Sequence, residues 1–321
     1  MRTKYRAGYW LSDFVKSLLI VMLPFAVAAR TVETYGQEVH LGSLGGPYRF
    51  EYYCSPNENE VWTVGGQGEV ILLTTDPEPQ RFRLESRGSF KGGLYGVYFN
   101  NEGVGWVVGD SGVIFHSPDR GKTWKEQSVG GEDDLNAITC ADNNTCWAVG
   151  ENGLLLRTTD GGKVWTRKVL APKFVDLNAV EFVNSKLGWI VGNNSLVLRT
   201  KDGGVTWDNY KLPFACEPEC AKWGEPLFSV RFVSDKVGWV ASREQIGRTT
   251  DGGATWTVTN IDEENLTISI IGLISGDGKR IWAVNERDYH YISEDAGRTW
   301  KKWTAETDSQ TRSIQPKHAT K

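Results

Sequence analysis

One eight-residue pattern, Ser/Thr-x-Asp-x-Gly-x-Thr-Trp, recurs along the chain and restricts what it can fold into. Its copies are Ser117 to Trp124, Thr158 to Trp165, Thr200 to Trp207, Thr249 to Trp256 and Ser293 to Trp300. Only the second departs, with Val164 where the others carry threonine. The closing tryptophans stand 41, 42, 49 and 44 positions apart. A degenerate sixth copy begins Thr74-Thr75-Asp76 and has Phe82 near the tryptophan position. A repeat of this length is one supersecondary unit that buries its apolar faces against its neighbours.

Two further motifs keep the same rhythm. Trp62, Trp106, Trp147, Trp189, Trp239 and Trp282 each open a short apolar run, as in Gly105-Trp-Val-Val-Gly109 and Gly188-Trp-Ile-Val-Gly192. Leu94-Tyr-Gly96, Leu135-Asn-Ala137, Leu177-Asn-Ala179 and Leu227-Phe-Ser229 open the repeats. In the third repeat the runs read as four strands over 135–140, 146–149, 154–158 and 165–170. Glu151-Asn152 before Gly153 suits a tight hairpin between the second and third of these. Fourteen Trp, 36 Gly and only two Met fit a turn-rich all-β protein. The expected fold is an all-β β-propeller of four-stranded antiparallel blades, six rather than seven. The small third residue of each first strand (Gly96, Ala137, Ala179, Ser229, Gly272) suits a crowded innermost position.

The box itself has a structural explanation. Asp119, Asp160, Asp202, Asp251 and Asp295 can accept backbone N–H bonds within their turns. The glycine permits positive φ, and the tryptophan packs between blades. These aspartates are therefore read as fold-forming rather than as catalytic groups or metal ligands.

Residues 1–29 read as a signal peptide. Arg2, Lys4, Arg6 and Lys16 precede an apolar run from Leu18 to Ala29 with an Ala26-Val27-Ala28 cleavage pattern. Its removal, taking four basic residues and Asp13, moves the formal charge from −4 to −7. Residues 30–49 form an N-terminal segment with a candidate ring-closing strand, 50–305 the propeller, and 306–321 a polar tail. The protein is expected to be exported, periplasmic or extracellular. With no basic patch dominating, nucleic acid is excluded as a partner.

Export permits disulfides. Cys140 and Cys146 flank a five-residue hairpin loop and are expected to bridge, as are Cys216 and Cys220, leaving Cys54 free. The four histidines, His40, His116, His290 and His318, show no ligand spacing, and neither metal nor cofactor is expected.

The sequence Gly-Trp-x-Val-Gly, then a hairpin, then Arg-Thr-x-Asp-Gly-Gly-x-x-Trp, resembles the photosystem II stability/assembly factor-like propellers over roughly residues 50 to 305. The resemblance implies a non-enzymatic, protein-binding scaffold at a membrane. Its partner would be a protein client in a membrane complex, the membrane contact indirect and the chain a monomer. A sialidase-like Asp-box hydrolase or a carbohydrate-binding propeller is the alternative. Against the hydrolase, no Arg-Ile-Pro introduces an arginine cluster near the N-terminus. An opposed carboxylate pair is not excluded by so acidic a sequence.

The residue before each box is His116, Arg157, Arg199 and Arg248 in four successive repeats, and Leu73 and Ile292 in the others. Equivalent positions in a propeller lie on one circle, so these four are expected to form a basic arc. The family's client-binding arginine patch maps best onto them. Two loops between repeats are expected on the face opposite the boxes: the insertion between Trp207 and Leu227, and the acidic, solvated Glu132-Asp133-Asp134.

Overall fold

A computed structural model describes residues 53–57, 60–74, 80–84, 92–127, 129, 131–212, 224–261, 270–275, 278–285 and 290–302. The expected signal peptide, the candidate ring-closing strand, Cys216, Cys220, the insertion around them and the tail lie outside these residues.

The described chain is built from 24 strands in six four-stranded sheets. The first holds β1 (Tyr53–Asn57), β2 (Glu60–Val64), β3 (Glu69–Thr74) and β4 (Gln80–Arg83). The second holds β5 (Leu94–Phe99), β6 (Gly105–Gly109), β7 (Ile114–Ser117) and β8 (Lys125–Gln127). The third holds β9 (Leu135–Cys140), β10 (Cys146–Gly150), β11 (Leu154–Thr158) and β12 (Thr166–Val169). The fourth holds β13 (Leu177–Phe182), β14 (Gly188–Gly192), β15 (Leu196–Thr200) and β16 (Asp208–Lys211). The fifth holds β17 (Ser229–Phe232), β18 (Gly238–Ala241), β19 (Gln245–Thr249) and β20 (Thr257–Asn260). The sixth holds β21 (Ile270–Ser275), β22 (Ile281–Asn285), β23 (His290–Ser293) and β24 (Lys301–Lys302). In each sheet the strands pair in sequence order. The chain forms two compact units, Met1–Val180 and Glu181–Lys321, divided within β13.

Local chemistry sets the hairpins. Leu154 N–H bonds the Glu151 carbonyl around Asn152 and Gly153, whose φ values are 54° and 70°. Two successive left-handed residues make the turn whose twist matches the flanking strands. The central pair is Asn152-Gly153, one residue later than the sequence suggested. Ser111-Gly112 repeats the device, with φ 55° and 68°.

The first strand of the first, second, third and sixth sheets carries a bulge or register shift. Val149 pairs with Ala137 and Gly150 with Leu135, so Asn136 is an extra residue. Tyr95 and Ile271 are extra in the same way. Bulges re-aim side chains, and the Asn136 amide donates to the Leu177 carbonyl at 3.0 Å, tying β9 to the next repeat.

The core follows the second strand of each sheet. Trp62, Trp106, Trp147, Trp189 and Trp239 are wholly buried. Trp62 stacks on Phe99 of the following sheet, ring centroids 3.7 Å apart, and Trp189 on Phe232 at 3.5 Å. The box tryptophans are half-buried, and two of them meet the same phenylalanines edge-on: Trp124 against Phe99 at 5.8 Å and Trp256 against Phe232 at 6.2 Å. The strand tryptophan is wedged between sheets, and the box tryptophans pack at the same seams as expected: Trp165 Nε1 donates to Gln127 Oε1 of the preceding sheet at 3.1 Å, and Trp300 packs against the cluster that holds Trp239.

Candidate binding surface at the Asp-box seams

Each box closes on itself. Gly121 N–H donates to Ser117 Oγ at 2.8 Å and Thr123 N–H to Asp119 Oδ1 at 2.8 Å. The Thr123 hydroxyl donates to Asp119 Oδ2 at 2.6 Å. Thr206, Thr255 and Thr299 repeat that hydroxyl bond to Asp202, Asp251 and Asp295. These bonds favour the ionised form. The Thr206 hydroxyl, then its N–H, hold Asp202 down to about 2, and Thr255 does the same for Asp251, also about 2. Asp295 is lowered chiefly by the Thr299 N–H, and Asp119 chiefly by the Thr123 hydroxyl. In the second box Val164 supplies only its N–H, at 3.0 Å, which leads the lowering of Asp160. Val164→Thr restores the missing donor at an exposed, isosteric position. Thermal melting should show Tm rising by roughly 1–3 °C, the modest gain of one solvent-exposed bond.

The boxes also fasten to the loop between the first two strands of their own sheet. Arg120 N–H donates to Gly103 O, Gly161 to Asn144, Gly203 to Lys186, Gly252 to Lys236 and Ala296 to Lys279, at 2.8–3.0 Å. They rest, too, on the preceding sheet. Trp189 Nε1 donates to Gly252 O and Trp239 Nε1 to Ala296 O, each at 3.2 Å. Gly121, at φ +76°, leaves no room for a Cβ beside the Trp62 ring.

The residues before the boxes lie at these seams. His116, Arg157, Arg199 and Arg248 stand directly opposite Trp106, Trp147, Trp189 and Trp239 in their sheets. In the first sheet the residue opposite Trp62 is Leu72, not Leu73, because the degenerate copy is displaced by one residue. All four candidates are half-buried. His116 lies over Trp106, rings 4.6 Å apart, and burial pushes its pKa below the usual value. Its charged form is thereby disfavoured relative to that of an exposed histidine. Arg248 Nε donates to Ala296 O at 2.7 Å, a role inside the fold. The Arg199 guanidinium sits 5.8 Å from the Trp189 ring, in the range of a cation–π contact. The Nε atoms of Arg157 and Arg199 are buried without a hydrogen-bond partner.

Cys140 and Cys146 form a disulfide, their Cα atoms 4.0 Å apart as directly opposed strand partners. Cys54 stands in β1.

The acidic triplet is more than a solvated loop. Asp134 accepts from Ser111 N–H at 2.9 Å, capping the previous sheet's hairpin turn, and Asp176 does the same for Asn152 N–H at 3.1 Å. Asp133 pairs with Arg167 and accepts from the Asn152 amide at 2.9 Å, and the Arg167 bond leads the lowering of its pKa. Glu132 is exposed. The sequence reading missed Asp134 and Asp176 as ties between repeats, although each immediately precedes a repeat-opening leucine. It also missed Glu181, which receives Arg231 Nη1 at 2.9 Å and Phe232 N–H at 2.7 Å. Burial pushes that carboxyl up against both partners.

Residues 76–176 match the model of the photosynthesis system II assembly factor YCF48 family. No curated protein matches the chain. Among solved structures, YCF48 bound to D1 peptide is similar with a TM-score of 0.60 and 16% identity, over 80% of this chain and 87% of that one. Virginiamycin B lyase from Staphylococcus aureus is similar with a TM-score of 0.64 and 16% identity, over 79% and 82%. The WD40 β-propeller domain of Doa1 gives 0.60 and 12%, over 78% and 80%. At these identities the structures speak for the fold, which is the β-propeller. The chain is thus a β-propeller that resembles the photosystem II assembly factors, in sequence over residues 76–176 and in fold over most of its length.

Proposed function

We propose that the chain is an exported, non-enzymatic propeller that binds a protein client, and that Arg157 and Arg199, each within its own unit, are contact points for acidic groups of a membrane protein. The observation that carries the reading is the shared position of these two arginines. Each is half-buried opposite a buried tryptophan, so part of each side chain stays open to solvent. A guanidinium whose stem is fixed in this way is suited to bidentate carboxylate recognition. The positive charge stands out in a chain of formal charge −4, and it steers an acidic client. The YCF48 structure described as bound to D1 peptide supports a peptide client. The leader-like residues 1–29 support export.

The enzymatic similarity, to the lyase, is one of fold alone. The five complete boxes use their carboxylates in their own turns, which favours a structural role for them.

Binding of an acidic peptide with a free carboxyl terminus, followed by calorimetry, tests the reading. Arg157→Gln with Arg199→Gln should weaken binding about tenfold or more, and amidating the peptide terminus should weaken binding to the wild type. Unchanged affinity in a variant with wild-type circular dichroism and Tm would overturn it.

A further inference from the structure

The disulfide occupies a position that other sheets fill differently. At the start of the second strand, Gly105 pairs with Phe99 and Gly238 with Phe232. The phenylalanine ring lies over the glycine. A Cβ at Gly105 or Gly238 would overlap the ring, and one at Gly188 would come within 2.6 Å of Phe182. Phenylalanine and glycine therefore act as one unit, the ring reaching from there to the preceding sheet's tryptophan, as Phe99 does to Trp62 and Phe232 to Trp189. In the third sheet both members are exchanged together. Cys140 stands in the phenylalanine position and Cys146 in the glycine position, directly paired. They share a buried cluster with Trp106 of the preceding sheet.

We propose that Cys140 and Cys146 are an oxidation-dependent lock on the seam between the second and third sheets. Two thiols give up two electrons and two protons to an exchanging disulfide, such as oxidised glutathione, which leaves as two thiols. The product fills the space under Trp106 as one rigid unit. It also pins the loop 141–145 between β9 and β10. That loop carries Asn144, whose carbonyl receives the Gly161 N–H of the third sheet's box at 3.0 Å. It carries Asn143 as well, which bonds Asn100 and Glu102 of the second sheet. Reduced, the pair offers neither an aromatic ring nor a covalent tie. Buried at 5% and 0% exposure, the cysteines are reached by a reductant through local opening.

The test compares three forms of the full chain in thermal melts with and without a phosphine reductant. In the wild type, reduction verified by alkylation and mass should lower Tm by roughly 4 °C or more. C140S/C146S should melt like the reduced wild type, and any response it keeps to reductant belongs to the other cysteines and is subtracted. C140F/C146G, which restores the unit used in the other sheets, should recover at least half of the lost Tm and be indifferent to reductant at this site. The proposal fails if verified reduction of the pair leaves Tm unchanged. It fails equally if C140F/C146G melts no higher than C140S/C146S, and should C140S/C146S not fold, C140F/C146G is compared with reduced wild type under the same criterion.

Discussion

Replacing Phe232 with alanine should destabilise the protein by roughly 3–5 kcal/mol, the cost of deleting a buried aromatic and leaving a cavity. Phe232 is 3% exposed and serves three neighbours at once. Its ring stacks on Trp189 at 3.5 Å, receives the edge of Trp256 at 6.2 Å, and covers Gly238. Neither indole can follow a shortened side chain inward. Trp189 is held by its Nε1 bond to Gly252, and Trp256 by its own to Gly253 at 3.0 Å. The site cannot collapse, so the loss should lie toward the upper end. Denaturant unfolding would show it as a lower midpoint at unchanged slope. Phe174→Ala is the matched control. That ring is 80% exposed, and its removal should change stability by no more than about 0.5 kcal/mol. A loss below about 1 kcal/mol at Phe232 would mean that the seam repacks around the gap and that the stacked pair is not what fastens the fourth sheet to the fifth.

Gly150→Ala should cost about 1–3 kcal/mol, against the usual expectation that alanine suits a strand interior better than glycine. The backbone is not the reason. With φ at −166°, Gly150 is in extended conformation that any residue adopts. The reason is space. The bulge at Asn136 draws the two strands together where Gly150 meets Leu135. A Cβ there would overlap the Asp134 carbonyl oxygen and approach Leu135 Cα at 3.0 Å, both of them backbone atoms that cannot rotate away. Relief requires moving the Asp134 backbone, and Asp134 is committed through its side chain to Ser111 N–H in the previous sheet. The strain should therefore reach across the seam. Hydrogen exchange would show faster exchange at Ser111 as well as near the mutation, whereas protection lost in the third sheet alone would contradict the tie.

Much of this fold is legible in the sequence because its punctuation is local. A box is closed by atoms no more than four residues apart, such as Ser117 Oγ with Gly121 N–H and Asp119 with Thr123. The Asn152-Gly153 turn needs nothing beyond its own dihedrals. The third sheet's strands accordingly fall within a residue or so of the runs read from the chain, and the Cys140–Cys146 bridge follows from a short hairpin. Leu73, the residue before the degenerate first copy, falls one position away from the partner of Trp62, because with the motif eroded only pairing to β2 sets the register there.

The seams belong to the tertiary structure. The sequence showed that His116, Arg157, Arg199 and Arg248 share a position, but charge and availability depend on what packs against them. Burial over Trp106 disfavours the charged form of His116, and Arg248 is turned to a carbonyl 48 residues away. The phenylalanine–glycine unit was equally invisible as a unit, since a sequence lists Phe99 and Gly105 without saying that one ring fills the other's missing side chain. Turn chemistry is short-ranged and written in neighbouring residues. Burial, ring stacking and the fate of a buried charge depend on residues a whole repeat away, and only folding brings those into contact.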